Sequence, residues 1–299
     1  MRPRPLIAAA FLLLVVVAPE CRAQLNDALK ASIASSKSSD APTRNRAAEE
    51  LGNSRNPAAI PALTALLSDP LPYVRQSAAT ALVFIPDSTS VGPLIGALKD
   101  PVPSVRHAAM RVLGKLRAAA AVAPLISVLS DPDPSARKVA ASSLGEIAVK
   151  EAVPALSMAL SDKDAGVRGE AAKSLGLIAD PSARPALTAA LKDADAVVRV
   201  QAAAALAKSG DTSGLPAAYA ALKNSDAMAR QQAAATIGIV GDIKALAPLE
   251  AALAIEKNVN ARGMMEFSRS QLKSRLGLSD APKKYPVKKT APAAKKVNK

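Results

Sequence analysis

The chain has 299 residues, 49% of them apolar and 2% aromatic, with one His, one Cys, no Trp and a formal charge of +14. One His and one Cys exclude a His/Cys metal cluster and a disulfide framework, 14 Gly without a three-residue period exclude collagen, and the apolar fraction excludes wholesale disorder. The 67 alanines predict an all-helical protein built from closely spaced helices rather than one thick core.

Residues 1–23 read as a signal peptide. Arg2 and Arg4 precede an uninterrupted apolar run of 13 residues, Leu6 to Ala18. That is too short to span a bilayer comfortably but has the length of a secretory h-region. Pro19 then breaks the run, and Cys21-Arg22-Ala23 places small residues where a signal peptidase reads, so cleavage is expected after Ala23. Two alternatives stay open: acylation at Cys21, against which Glu20 and Ala18 depart from a lipobox, and retention of the run as an anchor. Cleavage would leave a mature chain without Cys, indifferent to an oxidising compartment.

From here one unit recurs with a period of 31 residues. Arg stands at 44, 75, 106, 137, 168, 199 and 230, and Arg262 follows with a slip of one residue. Seven residues after each comes an aliphatic: Leu51, Leu82, Leu113, Leu144, Leu175, Leu206 and Ile237. Six residues before stand Asp69, Asp100, Asp131, Asp162 and Asp193, then Asn224. A Pro opens each unit, at 61, 93, 124, 154, 185, 216 and 248.

Each unit predicts two helices. Pro suits the first turn of the first helix, where its missing N–H removes no bond. Asp133, Asp164, Asp195 and Asp226 stand where the second helix needs an N-cap. The second helix, for example 135–147, aligns Ala136, Ala140, Leu144 and Ile147 on one face. Neither helix is apolar enough to fold alone, so stability must come from stacking.

The ends differ. Residues 24–53 read as an N-terminal capping half-repeat, with Ser38 at the expected Asp position and only Leu25, Leu29 and Ile33 pointing to a preceding helix. The repeats occupy 54–278, and Met264, Met265 and Phe267 are bulky in the last unit, where Arg269, Lys273 and Arg275 are expected to make a polar outer face. Residues 279–299 form a Lys/Pro/Ala-rich tail expected to be disordered, carrying seven Lys and one Asp. Its +6 and the +2 of the first 23 residues leave a body of only +6.

The text Asp-Pro-x-Pro-x-Val-Arg…Ala-Ala…Leu-Gly-x-Ile, clearest over 69–85 and 131–147, resembles the HEAT family in the short form known from phycobilin lyases. The resemblance covers roughly residues 40 to 275. It implies a right-handed α-solenoid of about seven two-helix repeats. It also implies that Asp69, Asp100, Asp131, Asp162 and Asp193, with Arg75, Arg106, Arg137, Arg168 and Arg199, form a structural hydrogen-bonded ladder between units.

No catalytic, cofactor-binding or metal constellation is found. His107, the one His, is read as an exposed residue on an outward helix face. The di-iron hydroxylases of similar repeat form use His-Glu pairs, and this chain contains none. Asp131, Asp133, Asp162 and Asp164 are read as caps and ladder rather than a calcium site. Gly114, Gly145, Gly176 and Gly238 are read as permitting close helix packing.

What remains is surface. Positions one, two, five and nine after each repeat Arg lie opposite the apolar stripe. The candidate partner-binding residues there are Gln76, Phe84, Arg111, Lys115, Lys138, Glu170, Lys173, Leu177, Gln201 and Gln231, with Ile239 as a further apolar position. The expectation is a non-catalytic scaffold, periplasmic or secreted, that docks a protein or peptide on its concave helix face without a cofactor. The alternatives are a relative of bilin lyase or hydroxylase enzymes, and polyanion or anionic-surface binding through the tail. Nucleic acid is not an expected partner, because the body lacks a basic row.

Overall fold

The computed structural model describes residues 19–278; the apolar run of the leader and the Lys-rich tail lie outside them. Sixteen α-helices and no strand occur among the described residues. They follow in pairs: α1 (Pro19–Ser35) and α2 (Ala41–Asn53), α3 (Ile60–Leu66) and α4 (Pro72–Ala81), α5 (Val91–Ala97) and α6 (Pro103–Lys115), α7 (Val122–Val128) and α8 (Pro134–Ile147). Then come α9 (Val153–Ala159) and α10 (Ala165–Ile178), α11 (Arg184–Ala190) and α12 (Ala196–Lys208), α13 (Leu215–Ala221) and α14 (Ala227–Val240), α15 (Leu246–Ile255) and α16 (Val259–Arg275). The chain divides into two compact units, Met1–Ala186 and Leu187–Lys299.

The first helices α3, α5, α7, α9, α11 and α13 have seven residues each, too few to persist alone in water. They are held by a Leu column. Leu63, Leu94, Leu125 and Leu156 are fully buried, facing the equally buried Leu51, Leu82, Leu113 and Leu144 of the second helices. Each such side chain contributes about 1.5–3 kcal/mol on burial. In the second unit, Ile237, Leu249, Leu253, Met265 and Leu272 form the corresponding core with a bed of alanines. The expected caps are present: Asp133, Asp164, Asp195 and Asp226 each accept a backbone N–H at the start of α8, α10, α12 and α14.

Successive second helices touch, α2 to α4 to α6 to α8 to α10 in the first unit and α12 to α14 to α16 in the second. Small residues let them approach. A Cβ on Gly145 would lie 2.5 Å from Ser174 Oγ and 2.8 Å from its Cα, and one on Gly52 would lie 2.8 Å from Ala81 Cβ. Val83 takes the equivalent place in the next repeat. There α4 stops at Ala81 and continues only as a 3₁₀ turn, Leu82–Phe84.

The second helices of three consecutive repeats, α6, α8 and α10, are followed by a residue in the left-handed region: Arg117 (φ 49°), Ala148 (φ 60°) and Ala179 (φ 56°). Gly210 (φ 77°) continues the column after α12 and Arg55 (φ 50°) precedes it after α2. Within that run the skipped position is Pro86, whose ring holds φ negative and forbids that turn, and the column ends at Gly241, which is extended with φ −61°.

The Arg and Asp markers are joined in a way their spacing did not specify. Arg44, Arg75 and Arg137 each reach forward to the carboxylate of the following unit, 25 residues on, and not to the side chain six residues before. Arg75 donates from Nε (2.6 Å) and Nη2 (2.9 Å) to Asp100, and Arg137 donates to Asp162 at 2.7 Å from both. Arg44 does the same to Asp69. The Asp six residues before contributes its backbone carbonyl: Arg137 Nη1 donates to Asp131 O at 2.8 Å. Because that contact is to main chain, Ser38 replaces Asp without loss, accepting from Arg44 at 2.9 Å.

The ladder has gaps at Arg106 and Arg199. Arg106 donates to the carbonyls of Asp100 and Pro101, yet makes no ion pair with Asp131, whose carboxylate accepts from the Asp133 N–H. Arg199 bonds the carbonyls of Asp193 and Ala194, and faces Asn224 where an acid would stand. Arg168 is not one of these gaps; like the others it donates to the carbonyls of the residues six and five before it, Asp162 and Lys163. One rung is displaced: Arg230 pairs with Glu256 at 2.6 and 2.8 Å, one residue late, matching the slip at Arg262.

Candidate functional site

The candidate surface is the outward face of α4, α6, α8 and α10 in the first unit. Counted from each repeat Arg, positions three, four and seven are buried in the stack, as at Ala78, Ala79 and Leu82, so positions five and nine of these helices point away, and position one is exposed at Gln76 and Lys138 but covered at Gly169. Gln76, Arg111, Lys115, Lys138 and Lys173 are exposed there, and none of the ten candidate residues is buried. Phe84 and Leu177, the two candidate apolar anchors, are 45% and 44% exposed, so each is half-covered by its neighbours and half-presented to solvent.

The structure brings some candidates together. Gln76 and Phe84 line a depression of about 370 Å³ with Thr80, Ser77, Glu49 and Asn53. Lys115 and Leu177 line a second, of about 320 Å³, with Gly114, Gly145, Glu146, Ala148 and Arg117. Lys115 crosses from α6 to Glu146 on α8 at 3.0 Å, and on α10 Glu170 pairs with Lys173 at 2.8 Å. Arg111 and Lys138 make no ion pair among the described residues. Gln201 and Gln231, on α12 and α14, are half-buried and belong to the other unit, as does Ile239 at 41% exposure.

Several contributors carry no mark at the positions counted. Glu49 and Asn53 come from α2, one repeat before the first candidate. Arg117 follows α6 in the left-handed turn; the 31-residue column 55, 86, 117, 148, 179, 210 was readable, and its closing Gly was the signal. A third depression, of about 450 Å³, lies between the turn Pro86–Ser88 and residues 116–120, where Pro86 reshapes the chain.

Two expectations are corrected. His107 is not exposed: its side chain is 18% accessible, with Nε2 packed 3.6 Å from Asp133 at the start of α8. Burial, reinforced by Arg106 and Arg111, holds its pKa below the ordinary imidazole range. In the last unit, Arg275 turns back to the Gly241 carbonyl and Lys273 lies 3.4 Å from Glu250. Lys273 therefore lies against α15, while Arg275 stays exposed, and Phe267 at 62% exposure also faces outward.

Among the described residues no three His, Cys, Asp or Glu side chains stand together as a metal site, and no helix is long and apolar enough to cross a membrane.

Comparison with known proteins agrees with this architecture. Family models described as HEAT repeats match residues 27–114, 66–131, 122–207 and 184–263. No curated protein matches the sequence. Among solved structures, the complex of CpcE and CpcF of phycocyanin lyase from Nostoc sp. PCC7120 is 25% identical with a TM-score of 0.50, over 82% of this chain and 94% of that one. YibA of Escherichia coli is 19% identical with a TM-score of 0.54, over 86% and 98%. An engineered protein is 22% identical with a TM-score of 0.50, over 85% and 81%. With matches running from residue 27 to 263 and a 31-residue Arg/Asp register in the structure, the chain belongs to the HEAT-repeat family.

Proposed function

We propose that this protein is a non-catalytic, exported scaffold that docks a protein or peptide on the outward face of α4, α6, α8 and α10. The observation that supports this most is the pair of half-exposed apolar side chains, Phe84 and Leu177, each seated in a depression among polar neighbours. Hydrophobic anchors ringed by polar contacts are what a protein interface offers. The similar Nostoc structure is itself a complex of two different polypeptides.

The test is a photo-crosslinking amino acid placed singly at Thr80, Ser142 or Met158 in native cell envelopes. Thr80 and Ser142 are on the face, whereas Met158, 79% exposed, lies on α9 among the first helices. A partner captured from Thr80 and Ser142 but not Met158 is expected; capture from Met158 alone would overturn the assignment. Export is tested on the same material by the mass of the mature N-terminus, expected at Gln24.

The Nostoc likeness also supports the lyase half of a second reading, a relative of bilin lyase or hydroxylase enzymes. A bilin absorbance band or stoichiometric iron in the purified protein would establish it. The third reading, a tether through the Lys-rich tail, requires that deleting residues 279–299 abolish binding to anionic vesicles at low salt.

A further inference from the structure

We propose that the face running from α4 to α10 selects an extended segment with an acidic centre flanked by two apolar side chains about eight residues apart. This rests on the docking face proposed above and adds the chemistry of what docks.

The two acids on the face between the anchors, Glu146 and Glu170, are already paired with Lys115 and Lys173. Three exposed cations remain with no carboxylate partner: Arg111 on α6, Arg117 just after it, and Lys138 on α8. Arg106 on α6 also makes no ion pair among the described residues, and His107 is half-buried, with burial and the neighbouring Arg106 and Arg111 holding its pKa below the ordinary imidazole range. Asp133 and Asp164 stand at the N-terminal edge, each capping its helix and keeping its negative charge. Set against Asp131, Asp133 and Asp164, the cations Arg106, Arg111, Arg117 and Lys138 leave an excess of one positive charge, with Arg111 and Arg117 placed towards the C-terminal end of α6, and a ligand of opposite sign complements it there.

The anchors set the register. Phe84 ends the α4 segment and Leu177 lies in the last turn of α10, with α6 and α8 between them. Three interhelical steps of about 8–10 Å place the two anchors about 24–30 Å apart. An extended chain rising about 3.3 Å per residue covers that distance in about seven to nine residues. An interval of eight is even, so side chains at both ends point to the same side of the strand.

The probes are two fluorescein-labelled 12-residue peptides with Leu at positions 2 and 10, one with Glu and one with Lys at the alternate positions between, titrated against the full chain. The Glu peptide is expected to bind at least about tenfold tighter than the Lys peptide at low ionic strength, and to weaken as salt rises through the screening range. Arg111→Glu with Lys138→Glu should weaken the Glu peptide by about tenfold or more and strengthen the Lys peptide. Phe84→Ser and Leu177→Ser should each cost about tenfold, with unchanged melting curves.

Equal affinity for the two peptides overturns the charge assignment, and anchor variants without effect overturn the register. If neither peptide binds while Thr80 and Ser142 still capture a partner, this chemistry is wrong and the docking face stands. If those positions capture nothing, the face itself is wrong.

Discussion

Replacing Asp131 and Asp162 by Asn in turn sets two copies of one sequence position against each other. Both carboxylates accept an N–H two residues on, from Asp133 and Asp164 at 2.8 Å, and an Asn oxygen can keep that bond, as Asn224 does for Asp226. They differ in what lies opposite. Asp162 receives Arg137, whose side chain is 4% exposed, through two bonds of 2.7 Å. Asp162→Asn would put an amide donor against those donors and leave a buried guanidinium without its counter-charge, a loss of about 3–5 kcal/mol. Asp131 makes no ion pair with Arg106, so Asp131→Asn should stay within about 0.5 kcal/mol of the parent. Urea unfolding followed by circular dichroism measures both, the midpoint shifting while the slope stays constant. For a unit of this size, Asp162→Asn should lower Tm by about 6–15 °C and Asp131→Asn by about 2 °C or less. Equal losses would refute the reasoning, because they would mean that all rungs of the register are equivalent.

Four further outcomes are expected. Arg230 holds the Glu256 carboxyl at about 2 from an ordinary 4.5, and Arg44, Arg75 and Arg137 hold Asp69, Asp100 and Asp162 below the usual carboxylate range. Depressed folded values mean the unfolded state binds more protons, so this stability is complete above about pH 4.5 and is lost as pH falls towards 2. Glu256→Gln should flatten that part of the stability–pH curve, removing at most about 3 kcal/mol of acid sensitivity. Ala148→Gly and Ala179→Gly should each raise stability by about 0.5–1 kcal/mol in urea titrations, since both residues hold the left-handed conformation at a net cost; Gly210→Ala should lower it. Gly145→Ala drives a methyl into Ser174 and should cost about 1–3 kcal/mol by the same assay. Leu144→Ala, at a fully buried site, should cost about 3–5 kcal/mol and be matched by Leu113→Ala.

The linear pattern was enough for the fold class, the two-helix unit, the N-caps at Asp133, Asp164, Asp195 and Asp226, and the outward row that includes Phe84 and Leu177. Each follows from interactions spanning a few residues or from a period of 3.6 set against one of 31, which a single strand of text displays. The α2 contribution of Glu49 and Asn53, the left-handed turn at Arg117 and the depression beside Pro86 depend on how one repeat meets the next. The tertiary structure decided the partners. Which carboxylate each Arg meets depends on how the next repeat stacks: Arg137 grips Asp162, whereas Arg106 bonds only carbonyls and makes no ion pair with Asp131. Packing also half-buries His107 against Asp133 and brings Lys273 to Glu250. Side chains of those types satisfy their charge and hydrogen bonds wherever the neighbouring unit places a carboxylate or carbonyl within reach, and only three-dimensional packing fixes that distance.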